Sequence, residues 1–242
     1  MTLDLHAPLP RPGRSIRYAN VDGLQVVLDL TSASYYVLDD VASAMWSVVT
    51  ERSDIESALV ELASSFGVER ERLRGNFDRF VTDCVARGFL EFPAPPVPVL
   101  RRAPAVRPAV VPSSGLLLAA LAWRSLIETR ASLARQGFRA VYERCASLPL
   151  TVPGAGLERA AAAFRRAENF SISRHAPDDC LPRSLALYRF LRLAGIPATH
   201  VIGVTRIPFQ AHAWVEFGGH PVLDDSPVRA GMTPLARLPA TG

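Results

Sequence analysis

The sequence predicts an α+β protein in two parts. The front part is a winged-helix-like unit of three short strands followed by three helices. In the back part, helices precede a small antiparallel sheet. Three observations carry this reading. Residues 15–38 hold short β-branched and aromatic runs broken by turn residues, and residues 41–87 then switch to helical spacing. Seven prolines fall between Pro93 and Pro112, a density that resists helix and favours an extended spacer. Beyond residue 198 the pattern returns to strand-like alternation around a Gly218-Gly219 hairpin turn. The boundaries that follow are 1–92 for the front unit, 93–112 for the proline-rich linker and 113–242 for the back unit.

Within the front unit, Ser15–Asn20, Gln25–Leu30 and Ser34–Leu38 read as strands, with Asp22-Gly23 and Thr31–Ser34 as turns. Val41–Glu51 reads as a helix. Asp54–Ser65 reads as a second, with Ile55, Leu59 and Leu62 on one face. Glu69–Arg87 reads as a third, with Leu73, Phe77, Phe80, Val81 and Val85 on one face and Gly88 as its stop. In the back unit, helices are expected over Gly115–Arg135, Phe138–Cys145 and Leu157–Asn169. Cys84 and Cys145 lie on apolar helical faces and read as buried structural thiols.

Composition bounds the function. Of 242 residues, 49% are apolar, enough to fill a core. The longest apolar run, Leu116–Ala122, falls far short of the roughly 20 residues of a membrane helix and reads as part of a buried helix. The opening MTLDLHAPLPRPGRS has no apolar h-region, so neither a secretory signal nor a membrane partner is expected, and the cytoplasm is the expected location. Three cysteines, at 84, 145 and 180, have neither metal-ligand spacing nor an even count. No metal, cofactor or disulfide framework is expected. All 27 basic residues are arginine, which excludes a Schiff-base lysine and a P-loop lysine. Residues 1–92 carry net charge −5 and residues 93–242 net +9. An acidic front does not suit a phosphate backbone, and the arginines behind it are scattered along amphipathic helices, so no nucleic-acid partner is expected.

The chemistry is concentrated between Asp179 and Asp225. Cys180 opens a helix that runs to about Ala194, with Pro182 in its first turn and Gly195 and Pro197 ending it. Leu181, Leu185, Tyr188 and Leu191 form its apolar stripe. A helix N-terminus favours thiolate over thiol. Asp178 and Asp179 oppose that, so their side chains are expected to cap the helix or turn away. Ala198–Thr205, Phe209–Phe217 and Pro221–Asp225 then read as strands. The last two form a hairpin, which sets His212 beside Asp224. Cys180, His212 and Asp224 are 32 and 12 residues apart, in the order nucleophile, base, acid. Taken singly, each has a structural alternative: a helix-start thiol, a core histidine, a turn-forming acid. Asp225 rivals Asp224, and His200 and His220 rival His212. Trp214 and Glu216 share the face of His212; Trp214 reads first as a core residue and second as a shield for the triad.

Two resemblances add to this reading. VVLDLTSASYYVLDDVASAMW, followed by two helices and RGFLEF, resembles the RiPP recognition element, typified by the peptide chaperone of pyrroloquinoline quinone biosynthesis. The resemblance covers about residues 15–92. It implies that a leader peptide adds as a strand against the third strand, Tyr35, Tyr36, Val37 and Leu38, with Arg74, Phe77 and Val81 in the groove wall. A place in the core is an equal reading for Phe77. CLPRSLALYRFLRLAGIPATHVIGV, PFQAHAWVE and PVLDD resemble the papain/transglutaminase-like cysteine peptidase of lasso-peptide biosynthesis, the B protein, over about residues 115–230. That resemblance implies Cys180, His212 and Asp224 as catalytic residues and hydrolysis of the bond between leader and core. It also implies a threonine at the penultimate leader position. The partners it implies are the precursor peptide and a separate ATP-dependent, asparagine-synthetase-like cyclase that closes the macrolactam. Family members often carry Asn where Asp224 precedes Asp225. The alternatives are acyl transfer to an amine and a peptide carrier without catalysis.

Overall fold

The computed structural model describes residues 9–52, 54–93, 115–150, 155–170 and 180–239. The expected linker beyond Pro93, and the flanking Asp178 and Asp179, lie outside them. The chain divides into two compact units, Met1–Arg102 and Ala103–Gly242.

In the front unit, β2 (Ile16–Val21), β3 (Leu24–Asp29) and β4 (Ser34–Val37) form an antiparallel sheet in that order, which leaves β4 at an edge. Asp22 and Gly23, at φ 50° and 87°, make the two-residue turn whose twist matches the flanking strands. Three helices follow: α1 (Asp40–Glu51), α2 (Ile55–Phe66) and α3 (Arg70–Ala86). Asp39 and Asp54 cap the first two, each carboxylate accepting an amide N–H at 2.8 Å. Ser43 of α1 fastens the helix to the sheet. Its Oγ accepts from the Gln25 amide at 2.9 Å and donates to the Leu38 carbonyl at 3.1 Å. Trp46, Ile55, Leu59, Leu62, Phe77 and Val81 are fully buried in one core.

One pairing was not legible in the pattern: β1 (Arg11–Pro12) runs antiparallel to β5 (Leu90–Glu91). Two residues carry no periodicity. The close of α3 makes the pairing possible. Gly88, at φ 73°, lets the Phe89 amide reach back to the Cys84 carbonyl at 2.8 Å and the Gly88 amide reach Val85 at 3.0 Å. The chain then reverses toward Gly13, whose amide donates to Phe89 O at 3.0 Å.

In the back unit, α4 (Gly115–Ala146) is broken at Gly137, where φ 76° and ψ 172° are not helical. The expected division into two helices there is thus a real break. The expectation of burial for Leu116–Ala122 is corrected: Leu118 is buried, but Leu116 and Leu117 are exposed. The run includes both faces of an amphipathic helix, and only one packs inward. α5 (Leu157–Phe170) and α6 (Cys180–Leu193) follow. The sheet is antiparallel in the order β8-β7-β6-β9, from β6 (Thr199–Thr205), β7 (Gln210–Phe217), β8 (His220–Pro221) and β9 (Thr233–Leu238). α6 packs against β6 and β7 on one side and α4 on the other. Its buried surface is therefore wider than the expected stripe and takes in Ser184, Ala186, Leu187 and Phe190 as well, while Leu181 is only half-buried. The strand expected at Pro221–Asp225 shrinks to two residues, because Leu223 adopts φ 55° and leaves the ladder.

Gly13 and Gly75 give a paired test of the front unit. A Cβ on Gly13 would lie 2.6 Å from the Gly88 carbonyl oxygen, a backbone atom with no freedom to move aside. Gly13→Ala should destabilise the unit by about 1–3 kcal/mol. Gly75 sits within α3 with nothing within 4 Å of a Cβ. Gly75→Ala should stabilise it by about 0.5–1 kcal/mol. Urea midpoints of the two variants should move in opposite directions.

Candidate active site

α6 begins at Cys180, so the thiol stands in the first helical turn. The sulfur accepts hydrogen bonds from His212 and from the amides of Ala213 and Leu181. His212 projects from the middle of β7, and its Nε2 lies 2.9 Å from Oδ2 of Asp224. With Nε2 committed to the acid, Nδ1 is the nitrogen left for the thiol. Oδ1 of Asp224 accepts the Ser226 amide at 3.0 Å. Both members of the pair are shielded, His212 at 19% and Asp224 at 11% side-chain exposure.

The electrostatics move the two groups toward one another, the thiol down and the imidazole up. Burial pushes the Cys180 thiol up, but the His212 hydrogen bond, the Ala213 amide, the His212 charge and the Leu181 amide together bring it below its ordinary value. For His212 the Cys180 hydrogen bond is the largest influence. It raises the imidazole, burial opposes it, and the hydrogen bond and charge of Asp224 add to the rise. Cys84 and Cys145 show the contrast: burial pushes each up to about 11. Cys180 is the thiol set up to ionise.

The three expected residues are thus brought together, and the rivals are not. Asp225 is exposed. His220 is exposed beside the hairpin turn. His200 is wholly buried, its Nε2 lies 2.9 Å from Ser184 Oγ, and burial pushes it down to about 3, so it is a neutral core histidine. Trp214 takes the core place expected of it and also lies against His212. It is 4% exposed and its ring stacks on His212 at 6.0 Å and 15°. Its Nε1 donates to Glu216 at 2.8 Å, and Glu216 pairs with Arg237 at 3.0 Å. Gly203, opposite His212 in the β6–β7 register, makes room for the indole: a Cβ there would lie 2.6 Å from it. A bulge between Ile202 and Gly203 interrupts the β6–β9 pairing at the same point. Glycine within a strand is the signal that marks such a close approach.

The front-unit residues are distributed otherwise. Tyr35, Tyr36 and Leu38 are half-buried, and Val37 is exposed. Tyr36 packs on Phe89 at 4.9 Å. Arg74 is half-buried near Asp78, at 3.7 Å. Phe77 and Val81 are fully buried in the core, which corrects their placement in a groove wall. Apolar spacing on α3 reports which face is buried, not whether protein or ligand covers it. Among the described residues, no group of three or more His, Cys, Asp and Glu is placed to hold a metal, and no helix is long and apolar enough to cross a membrane.

Cys180 at the start of α6, His212 on β7 and Asp224 just beyond β8 thus meet at one point of a helix-on-sheet unit. The chain belongs to the transglutaminase-like superfamily, whose core matches residues 117–237. Residues 25–90 match coenzyme PQQ synthesis protein D, PqqD. A PqqD-type domain is thus followed by a transglutaminase-like one. The microcin J25-processing protein McjB of Escherichia coli is 40% identical over 73 residues, 29% of this chain and 35% of McjB, so the match spans about a third of that relative. A solved structure of TbiB1 in complex with the TbiA(beta) leader peptide aligns at 24% identity over 35% of this chain and 99% of that one, with a TM-score of 0.33.

The pKa directions predict a reactive window. Cys180 should alkylate with iodoacetamide at a pH below that of an ordinary thiol, because the ionised form is favoured. His212→Ala removes the largest influence that lowers the thiol, the His212 hydrogen bond, along with the His212 charge, and leaves its burial. The onset of alkylation, followed at Cys180 by mass spectrometry, should then move to higher pH.

Proposed function

We propose that this protein binds the leader of a lasso-peptide precursor through its front unit and hydrolyses the leader–core bond in its back unit. The observation that carries the reading is the chain of contacts from Cys180 to His212 to Asp224, with His212 Nε2 2.9 Å from Asp224 Oδ2. The PqqD-type domain ahead of it supports leader binding.

The steps follow from the geometry. The Cys180 thiolate attacks the carbonyl carbon of the last leader residue. The imidazolium of His212 gives its proton to the departing amine, which becomes the free N-terminus of the core. A water then attacks the thioester and passes a proton to His212, and the leader leaves with a new carboxylate. Asp224 holds the imidazole in one tautomer and favours its charged form in both steps. The low-pH limb of activity is set by ionisation of Cys180 and the high-pH limb by loss of the His212 proton. The expected partner for the released core is an ATP-dependent cyclase, and a cytoplasmic setting suits that sequence of reactions. No step calls for a cofactor.

Leader binding is assigned to the outer edge of β4, at Val37. The Leu38 amide donates inward to Gln25. In an antiparallel ladder, N–H and C=O alternate in direction from one residue to the next, so the backbone of Val37 faces outward. A leader strand pairing there is tethered to the chain that carries Cys180, which raises the effective concentration of the scissile bond when the linker spans the two sites.

Cys180→Ala should bind a synthetic precursor with unchanged affinity and show at least about 10⁴-fold slower cleavage. Cleavage at the wild-type rate would refute the mechanism. Mass spectrometry of the wild-type products should give leader plus water and intact core; leader joined to an added amine would assign acyl transfer instead. Val37→Pro removes one outward N–H at an edge where proline is tolerated. It should raise KM for the precursor and leave kcat within about twofold, since no triad contact changes. An unchanged KM would sink the edge-strand assignment.

A further inference from the structure

Three elements of the back unit meet at one guanidinium outside the triad. Arg183 lies one turn beyond Cys180 on α6. Its Nε donates to Oε1 of Glu168 on α5 at 2.6 Å and its Nη2 to Oε2 at 3.1 Å. Its Nη1 donates to the carbonyl oxygen of Leu223 at 2.9 Å, 40 residues along the chain. The ion pair is well shielded, with Glu168 at 11% and Arg183 at 31% side-chain exposure.

Leu223 is where the register of the acid is decided. Glu216 pairs with Pro221 and Phe217 with His220, and the Val222 amide still donates to Val215 at 2.8 Å. Counting that ladder onward would set Asp225 opposite His212. Instead Leu223 takes φ 55°, a left-handed conformation that leucine seldom adopts, and the chain steps out of the ladder. Asp224 then reaches His212. Its own carbonyl accepts from Arg229 Nη1 at 3.1 Å.

We propose that Arg183 is a positioning residue: it clamps the Leu223 turn to the helix that bears the nucleophile, and so makes Asp224 rather than Asp225 the partner of His212. Glu168 takes the Nε–Nη2 edge of the planar fork, which leaves Nη1 aimed at the Leu223 carbonyl. A lysine carries its three donors on one nitrogen and cannot reproduce the planar fork that holds Glu168 bidentately and Leu223 at once. With the clamp in place, thiol and acid are carried by one rigid group of α5, α6 and turn. The proposal deepens the peptidase reading, and only its cleavage readout depends on it.

The test uses the full-length protein with Arg183→Met, Arg183→Lys, Glu168→Gln and Asp224→Ala. The first readout needs no substrate: the pH profile of Cys180 alkylation and the NMR titration of His212. The groups acting on His212 are Cys180 and Asp224; Glu216, on the same strand face, is engaged by Trp214 and Arg237. Arg183→Met should lower the His212 titration and raise the onset of alkylation, the same direction as Asp224→Ala. Arg183→Lys and Glu168→Gln should shift both less. In an Asp224→Ala background, Arg183→Met should add nothing to either profile, whereas a merely structural role would add its effect. The second readout is cleavage: kcat of Arg183→Met should fall about 10²-fold with KM unchanged. Unshifted profiles in a folded Arg183→Met variant, or in Glu168→Gln if the former fails to fold, overturn the clamp. Shifted profiles in a protein whose wild type leaves the precursor uncut support the clamp and refute the peptidase reading.

Discussion

The burial of α6 between α4 and the sheet determines where the thiol sits. Ser184, Leu185, Ala186, Leu187, Tyr188, Phe190 and Leu191 are all buried, so the helix is held on several sides and has little freedom to slide or rotate. Its first residue is therefore delivered to a set point beside β7. Two consequences meet there. The helix start presents its own Leu181 amide to the sulfur, and β7 presents His212 and the Ala213 amide. Burial alone would keep the thiol protonated, as it does for Cys84 and Cys145. The difference between an inert and an ionisable cysteine in this chain is three hydrogen bonds and one neighbouring charge, all of which depend on the placement of α6.

The acid is supported in another way. β8 is only two residues long, so ladder hydrogen bonds cannot hold Asp224. The side chains of Arg183 and Arg229 and the backbone amide of Ser226 take over that duty. On the other side of the imidazole, Trp214 lies parallel to it over Gly203, anchored through Glu216 to Arg237. The imidazole is thus fixed on one edge by charge and on one face by packing. In the front unit the division of labour differs. The core of Trp46, Phe77 and Val81 is closed, and what remains available is a strand edge. A strand edge can bind a peptide through its backbone, which is the mode assigned to it in the proposed function.

Most of the elements were legible in the sequence, although β9 and the short strands β1 and β5 were not. Short β-branched runs and helical spacing marked the three front strands and the α-helices of the described residues to within a few residues, including the break at Gly137, because local periodicity and glycine placement act within a few residues of chain. The order Cys180, His212, Asp224 was legible because a nucleophile, base and acid are specific residue types. Tertiary structure alone decided four other matters. It paired the two-residue strands at Arg11–Pro12 and Leu90–Glu91, which are too short to show a period. It put Phe77 and Val81 in the core, since apolar spacing cannot say what covers a face. It left Leu116 and Leu117 exposed. And it set Asp224 rather than Asp225 against His212, because that choice turns on one left-handed residue and on an arginine 40 positions away, a contact that no local pattern encodes.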